Sequence, residues 1–149
     1  VDPGGVSRVT IPVSETFFEY RGRRYRRQSG GDGFVRVYTD VPPTIDTFPD
    51  AQDFSAGGDQ PWVALPRDVL TARYSQEVTG RWRGTSVRVE GVVPRSGGKV
   101  AIRYLGNCPD EAVAAGFDGN QNDGWSATVP PSEVEDVRVE TTKHPMVTR

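Results

Sequence analysis

One cysteine, Cys108, and one histidine, His144, are all that this 149-residue chain holds of the two residues most used in redox and metal chemistry. A lone cysteine excludes an intrachain disulfide and any cysteine-rich metal site. A lone histidine in a polar C-terminal stretch leaves no partner for a nucleophile triad or a zinc centre, so catalysis is not expected. Acids are plentiful, but no pair of them has a spacing that defines an acid/base site. No glycine loop precedes a helix to cradle phosphate, so no cofactor is implied. Leucine is scarce, and no apolar run is long enough to cross a membrane. The opening VDPGGVSRV lacks the apolar segment of a signal peptide. The expectation from these is a cytoplasmic protein, or a piece of a larger one. The net charge of −2 gives no global pull toward nucleic acid or membrane. Convincing helices are also missing: Val113 to Phe117 and Pro130 to Glu135 are each expected to form one helical or 3₁₀ turn.

What the chain has instead is valine, 17 glycines and 12 prolines, a mix that favours short strands and many turns. Val35 and Val37 alternate with Phe34, Arg36 and Tyr38. Val87, Val89 and Val93 share one face, as do Val100, Ile102 and Tyr104, the period of half-buried strands. Asp59 to Tyr74, DQPWVALPRDVLTARY, is echoed by Asn122 to Val139, NDGWSATVPPSEVEDVRV. Tyr20-Arg21-Gly22 is likewise matched by Trp82-Arg83-Gly84, and the turn SGGDG by PRSGG. These matches predict an internal duplication: a first repeat over 14–78 and a second over 79–142. Residues 1–13 form an N-terminal tail with a short edge strand at Val9 to Val13, and 143–149 a C-terminal tail.

At GWSATVPPSEVEDVRV the pattern of Trp, strand, Pro-Ser and a closing Val-bearing strand resembles the end of a Src-homology-3-like small barrel. The upstream WRG…VRV…SGG…VAIRY hairpin is similar to the same barrels, including the Tudor-like ones. The resemblance implies an all-β fold of two tandem five-stranded-type barrels packed as one unit, with 3₁₀ turns before the last strands. Of the peptide-binding residues of that family only Pro131 and Ser132 carry over. Glu133 stands where a tyrosine would follow, with Asp68 placed opposite it in the first repeat. A methyl-lysine cage of the Tudor type would have to come from Tyr104, Phe117 and Trp125.

Two kinds of cluster are candidates for binding. Arg21, Arg23, Arg24, Arg26, Arg27 and Arg36 interleave with Tyr20 and Tyr25, the composition of a phosphate- or nucleic-acid-binding strand. The plainer alternative is a solvated strand whose arginines pair with the acids that follow, their stems lying on apolar surface. Those acids, Asp40, Asp46, Asp50, Asp53 and Asp59, lie in a loop without a base. A second acidic loop holds Asp110, Glu111, Asp118 and Asp123. Within it, DGNQNDG resembles the start of a calcium loop, but Asp123 replaces the glycine and Val129 the closing glutamate, so a turn is the stronger account. Trp62, Trp82 and Trp125 are expected in or beside the cores. The function read from these features is a non-catalytic protein-binding module for a charged partner, in concrete form an immunity protein or other inhibitor of a bacterial toxin. The alternatives are a nucleic-acid-associated protein using the Arg/Tyr hairpin, or a structural subunit of a phage or surface assembly.

Overall fold

A computed structural model describes residues 11–55 and 57–146. Its contacts divide the chain into two compact units. The first comprises 15–76 with 141–146, the second 77–140 with 11–14.

In the first unit β1 (Glu15–Tyr20), β2 (Arg23–Gly31) and β3 (Phe34–Tyr38) form an antiparallel meander. Arg21 and Gly22 turn β1 into β2 at φ 51° and 80°, the both-positive geometry that matches the twist of a two-residue hairpin. After a long loop come the two-residue β4 (Asp53–Phe54) and β5 (Trp62–Pro66), and β5 pairs with both β3 and β4. A 3₁₀ turn at Arg67–Val69 leads into β6 (Ala72–Trp82), whose residues Ala72 to Gln76 pair with Glu19 to Glu15 of β1. Strand periodicity decides what is inside: Phe18, Tyr20, Val35, Val37, Val63 and Leu65 point inward, where Phe48 and Leu70 complete the core. Burial of side chains of this size contributes about 1.5–3 kcal/mol each.

The second unit repeats the order. The rest of β6 pairs with β7 (Thr85–Val92) through Arg83 and Gly84 at φ 50° and 78°, and β7 pairs with β8 (Val100–Tyr104). A seven-residue helix, α1 (Pro109–Ala115), precedes β9 (Asp118–Asn120) and β10 (Gly124–Val129), and β10 pairs with both β9 and β8. A 3₁₀ turn at Pro131–Glu133 then enters β11 (Glu135–Pro145), which pairs with β6. Even the irregularities repeat, since β2 shifts register between Arg27 and Ser29 and β7 between Val89 and Gly91. The core of this unit gathers Val78, Trp82, Val87, Val89, Val100, Ile102, Tyr104, Phe117, Val129 and Val134.

The described residues are therefore all-β apart from α1 and the two 3₁₀ turns. The ladders are open: among the described residues no pairing joins β5 to β6 or β10 to β11, and the 3₁₀ turns bridge those gaps. Three local expectations need revision. The helical turn placed at Val113 to Phe117 begins at Pro109, because Pro109 at the first helical position and Asp110 and Glu111 in the first turn favour an earlier start. Gly116, at φ 101°, ends it. The edge strand at Val9 to Val13 lies partly outside the described residues, and Ile11 to Ser14 are not regular strand. The tail residues 1–8 and 147–149 also lie outside. Finally, Asp68 is not opposite Glu133. The two 3₁₀ turns align Val69 with Glu133, and buried Leu70 with buried Val134.

Candidate binding surfaces of the first unit

Arg21 is part of the fold's own machinery. It occupies the same positive-φ turn position as Arg83, and both side chains reach the excursion that follows the third strand of their unit. Arg21 pairs with Asp50 at 3.8 Å, and Arg83 donates to the carbonyl of Ala115 at 2.8 Å. Tyr20 is buried rather than presented. Its ring stacks on Phe48 at 5.8 Å, and its hydroxyl donates to Asp50 Oδ2 at 2.7 Å. Burial, and then the carboxylate beside it, push the Tyr20 phenol above its ordinary range. Tyr25 also turns inward, edge-on to Phe48 at 5.5 Å.

The remaining arginines behave differently. Strand parity puts Arg24 and Arg26 of β2 on the outer face, with Phe17 and Glu19 of β1, Arg36 and Tyr38 of β3, Trp62 of β5 and Tyr74 of β6. Guanidinium groups lie over the rings: Arg24 is 3.7 Å from the Tyr74 centroid, Arg26 4.5 Å from Tyr38, and Arg36 4.7 Å from Trp62. Arg26 also pairs with Glu15 at 3.4 Å. Arg23, Arg24 and Arg27 have no carboxylate within ion-pair distance among the described residues. Of the acids in the first loop, only Asp50 pairs with an arginine of the cluster. Glu19, on the same face, accepts hydrogen bonds from Thr71 at 2.6 Å and Tyr74 at 3.1 Å, which hold its carboxyl below the usual range.

Beside this face an open cleft of about 590 Å³ is lined by Arg23, Arg24 and Arg26, by Asp40, Asp59 and Pro61, and by Phe17, Tyr25 and Tyr38. The loop that follows β3 is stitched down at both ends. Thr39 N–H donates to Pro61 O at 2.9 Å, Gln52 N–H to Ala64 O at 2.9 Å, and Ser55 N–H to Trp62 O at 3.0 Å. Thr44 and Thr47 exchange side-chain and backbone hydrogen bonds in a tight turn, and buried Phe48 anchors the middle. What the loop leaves outside is Val41, Ile45 and Phe54, at 64%, 56% and 36% exposure. Exposed Asp40, Asp46, Asp53 and Asp59 stand among them in sequence. Asp53 Oδ1 accepts from the Phe54 N–H at 2.9 Å and is a local turn-former.

The second unit's acids are also largely structural or solvated. Glu111 accepts from the Tyr104 hydroxyl at 2.8 Å, and burial followed by that contact pushes the Tyr104 phenol upward. Asp110 and Asp118 are exposed. Asp123 accepts from Asn120 Nδ2 at 3.0 Å, while Asn120 Oδ1 takes the N–H groups of Asn122 and Asp123, each at 2.8 Å. DGNQNDG is thus the Asx-type turn of the β9–β10 hairpin. Tyr104 and Phe117 are buried with ring centroids 5.5 Å apart, which closes the cage imagined for them with Trp125. Glu133 accepts the indole N–H of Trp82 at 3.1 Å. Cys108 is exposed just before α1, its N–H donating to the Tyr104 hydroxyl at 3.2 Å.

The cluster of outer-face aromatics was missed in the sequence because the echo pairs Trp62 with Trp125. The registers pair Tyr38 with Trp62 but Arg103 with Ser126, so Ser126 is the counterpart of Trp62. Trp62 faces outward under Arg36, whereas Trp125 packs against the second core. No family model, no curated protein and no solved structure matches the chain.

Proposed function

We propose that the protein is a non-catalytic protein-binding module built on two small barrels of the Src-homology-3-like kind. The barrel reading is supported by strand order: in each unit the last strand follows a 3₁₀ turn and lies beside the first. The binding reading rests on one observation. The loop of residues 39–61 is anchored by Phe48, Tyr20 and Asp50, yet holds Val41, Ile45 and Phe54 in solvent among unpaired acids. An ordered segment that exposes aliphatic and aromatic side chains suits a partner surface, and loops on a rigid scaffold commonly carry recognition. Its uniform negative charge selects a basic partner and speeds the encounter. The concrete form of this reading is an inhibitor that neutralises a bacterial toxin by covering a basic active site.

The test uses the full chain immobilised against a lysate of its own source, beside an Asp46→Lys/Asp53→Lys variant. The wild type should retain a basic protein whose binding weakens with salt, and the variant should retain at least about tenfold less. Equal retention by both chains would discard the loop as the recognition element.

A further inference from the structure

The duplication supplies an internal control for the outer face of the first unit. The registers set Thr79, Ser86, Arg103 and Ser126 at the places of Phe17, Arg24, Tyr38 and Trp62. The second unit folds on the same plan without the aromatic rings, and Thr85 takes the place of Arg23. Only Arg88 reproduces an arginine of β2, and it pairs with Glu90 on its own strand. Neither the arginines nor the rings are therefore required by the fold. Arg23, Arg24 and Arg26 stand exposed, and among the described residues only Arg26 has a carboxylate partner, so they leave positive charge that an anionic ligand would offset.

We infer that the cleft beside this face binds a nucleoside phosphate. Arg23 and Arg24, without carboxylate partners, and Arg26 present the fork geometry that takes a phosphate bidentately. Asp40 and Asp59 in the same lining accept hydrogen bonds only, which suits the N–H donors on the edge of a base such as guanine. Phe17 in the lining offers a ring for stacking, and the Arg26 guanidinium that lies over Tyr38 offers a planar cation beside it. The volume of about 590 Å³ falls within the roughly 300–1,000 Å³ of small-molecule sites. A longer polyanion would have to pass the carboxylates of Asp40 and Asp59, so the ligand is one nucleotide rather than a strand. The inference shares Asp40 and Asp59 with the loop read above but does not need that loop to bind a protein.

Titration of the full chain with GMP, UMP, inorganic phosphate and a short single-stranded oligonucleotide, followed by amide shifts and calorimetry, tests it. GMP should move amides at 23–26, 38–40 and 59–60 and bind more tightly than inorganic phosphate. Arg23→Thr/Arg24→Ser installs the residues that the second unit carries, so it should fold, and it should weaken GMP at least about tenfold, the equivalent of one lost charge-assisted hydrogen bond. Asp40→Asn/Asp59→Asn should weaken GMP more than UMP. Absence of shifts at millimolar nucleotide, phosphate binding as tightly as GMP, or an oligonucleotide binding more tightly than GMP would each overturn the proposal.

Discussion

At the scale of single residues, Gly80 and Glu19 carry the sharpest tests. A Cβ on Gly80 would stand 2.7 Å from Val134 Cγ1 and 2.9 Å from the Glu135 carbonyl, just where β11 begins. Gly80→Ala should therefore cost about 1–3 kcal/mol, the range of overpacking. Gly91→Ala, at a position with open space around it, should stay within about 0.5 kcal/mol in the same urea titration. Glu19 titrates below its ordinary value in the folded chain because Thr71, and then Tyr74, Lys143 and Arg24, favour its charged form. Its contribution is present above the unfolded-state pKa and is lost as pH falls through the lower folded one. Glu19→Gln should flatten stability against pH below the ordinary carboxyl range and leave the neutral plateau's slope unaltered. Tyr20 and Tyr104 act at the other end: both phenols are raised, so what they contribute is complete below the ordinary tyrosine pKa and is lost as pH climbs above it.

At the scale of elements, the long loop after β3 hangs on a small number of contacts. Tyr20→Phe deletes the hydrogen bond to Asp50 but keeps the ring on Phe48, and Asp50 is partly solvated, with 39% of its side chain exposed. The expected loss is about 1 kcal/mol. Amide exchange should quicken between residues 44 and 52 before it changes in β1 or β3. Strands and hairpins were legible because valine alternation and glycine turns are local signals: Val35 and Val37, or Val100 and Ile102, declare their face without help from distant residues. The direction of Trp62 was not legible. One extra residue between the Trp and the Pro of the second repeat reverses parity, and only pairing with Tyr38 or Arg103 reveals it. Tyr20 was misjudged for a related reason. Its neighbours are arginines, but its strand position makes it core. The start of α1 could have been read from Pro109, Asp110 and Glu111, a first-turn signature set before too short an apolar stretch to be noticed.

At the scale of the molecule, each unit borrows from the far end of the chain. Lys143 lies 5.9 Å from the Tyr74 ring and Met146 N–H donates to Thr71 O at 3.0 Å, both within the first unit. Ser14, in turn, donates its N–H to Val89 O at 2.8 Å within the second. A fragment ending at Thr79 lacks 141–146 and should not show a cooperative thermal transition. Deleting 141–149 from the full chain should speed amide exchange in β1 and at Thr71, although the deleted residues follow the second unit in sequence. A sharp transition from the fragment would show that the first unit needs nothing beyond its own segment. The boundary between units also falls inside β6, with Ala72 to Gln76 laddered to β1 and Thr79 to Trp82 to β7. A place that would serve as a linker in most two-unit chains is here an unbroken strand. In an insertion scan, foreign peptides should be accepted around Gly57 and Gly58, both exposed at positive φ, and rejected between Gln76 and Val78. Swapping either half for a different β unit would have to preserve strand phase across that join, because a shift of one residue there turns the side chains of the rest of the strand to the wrong face.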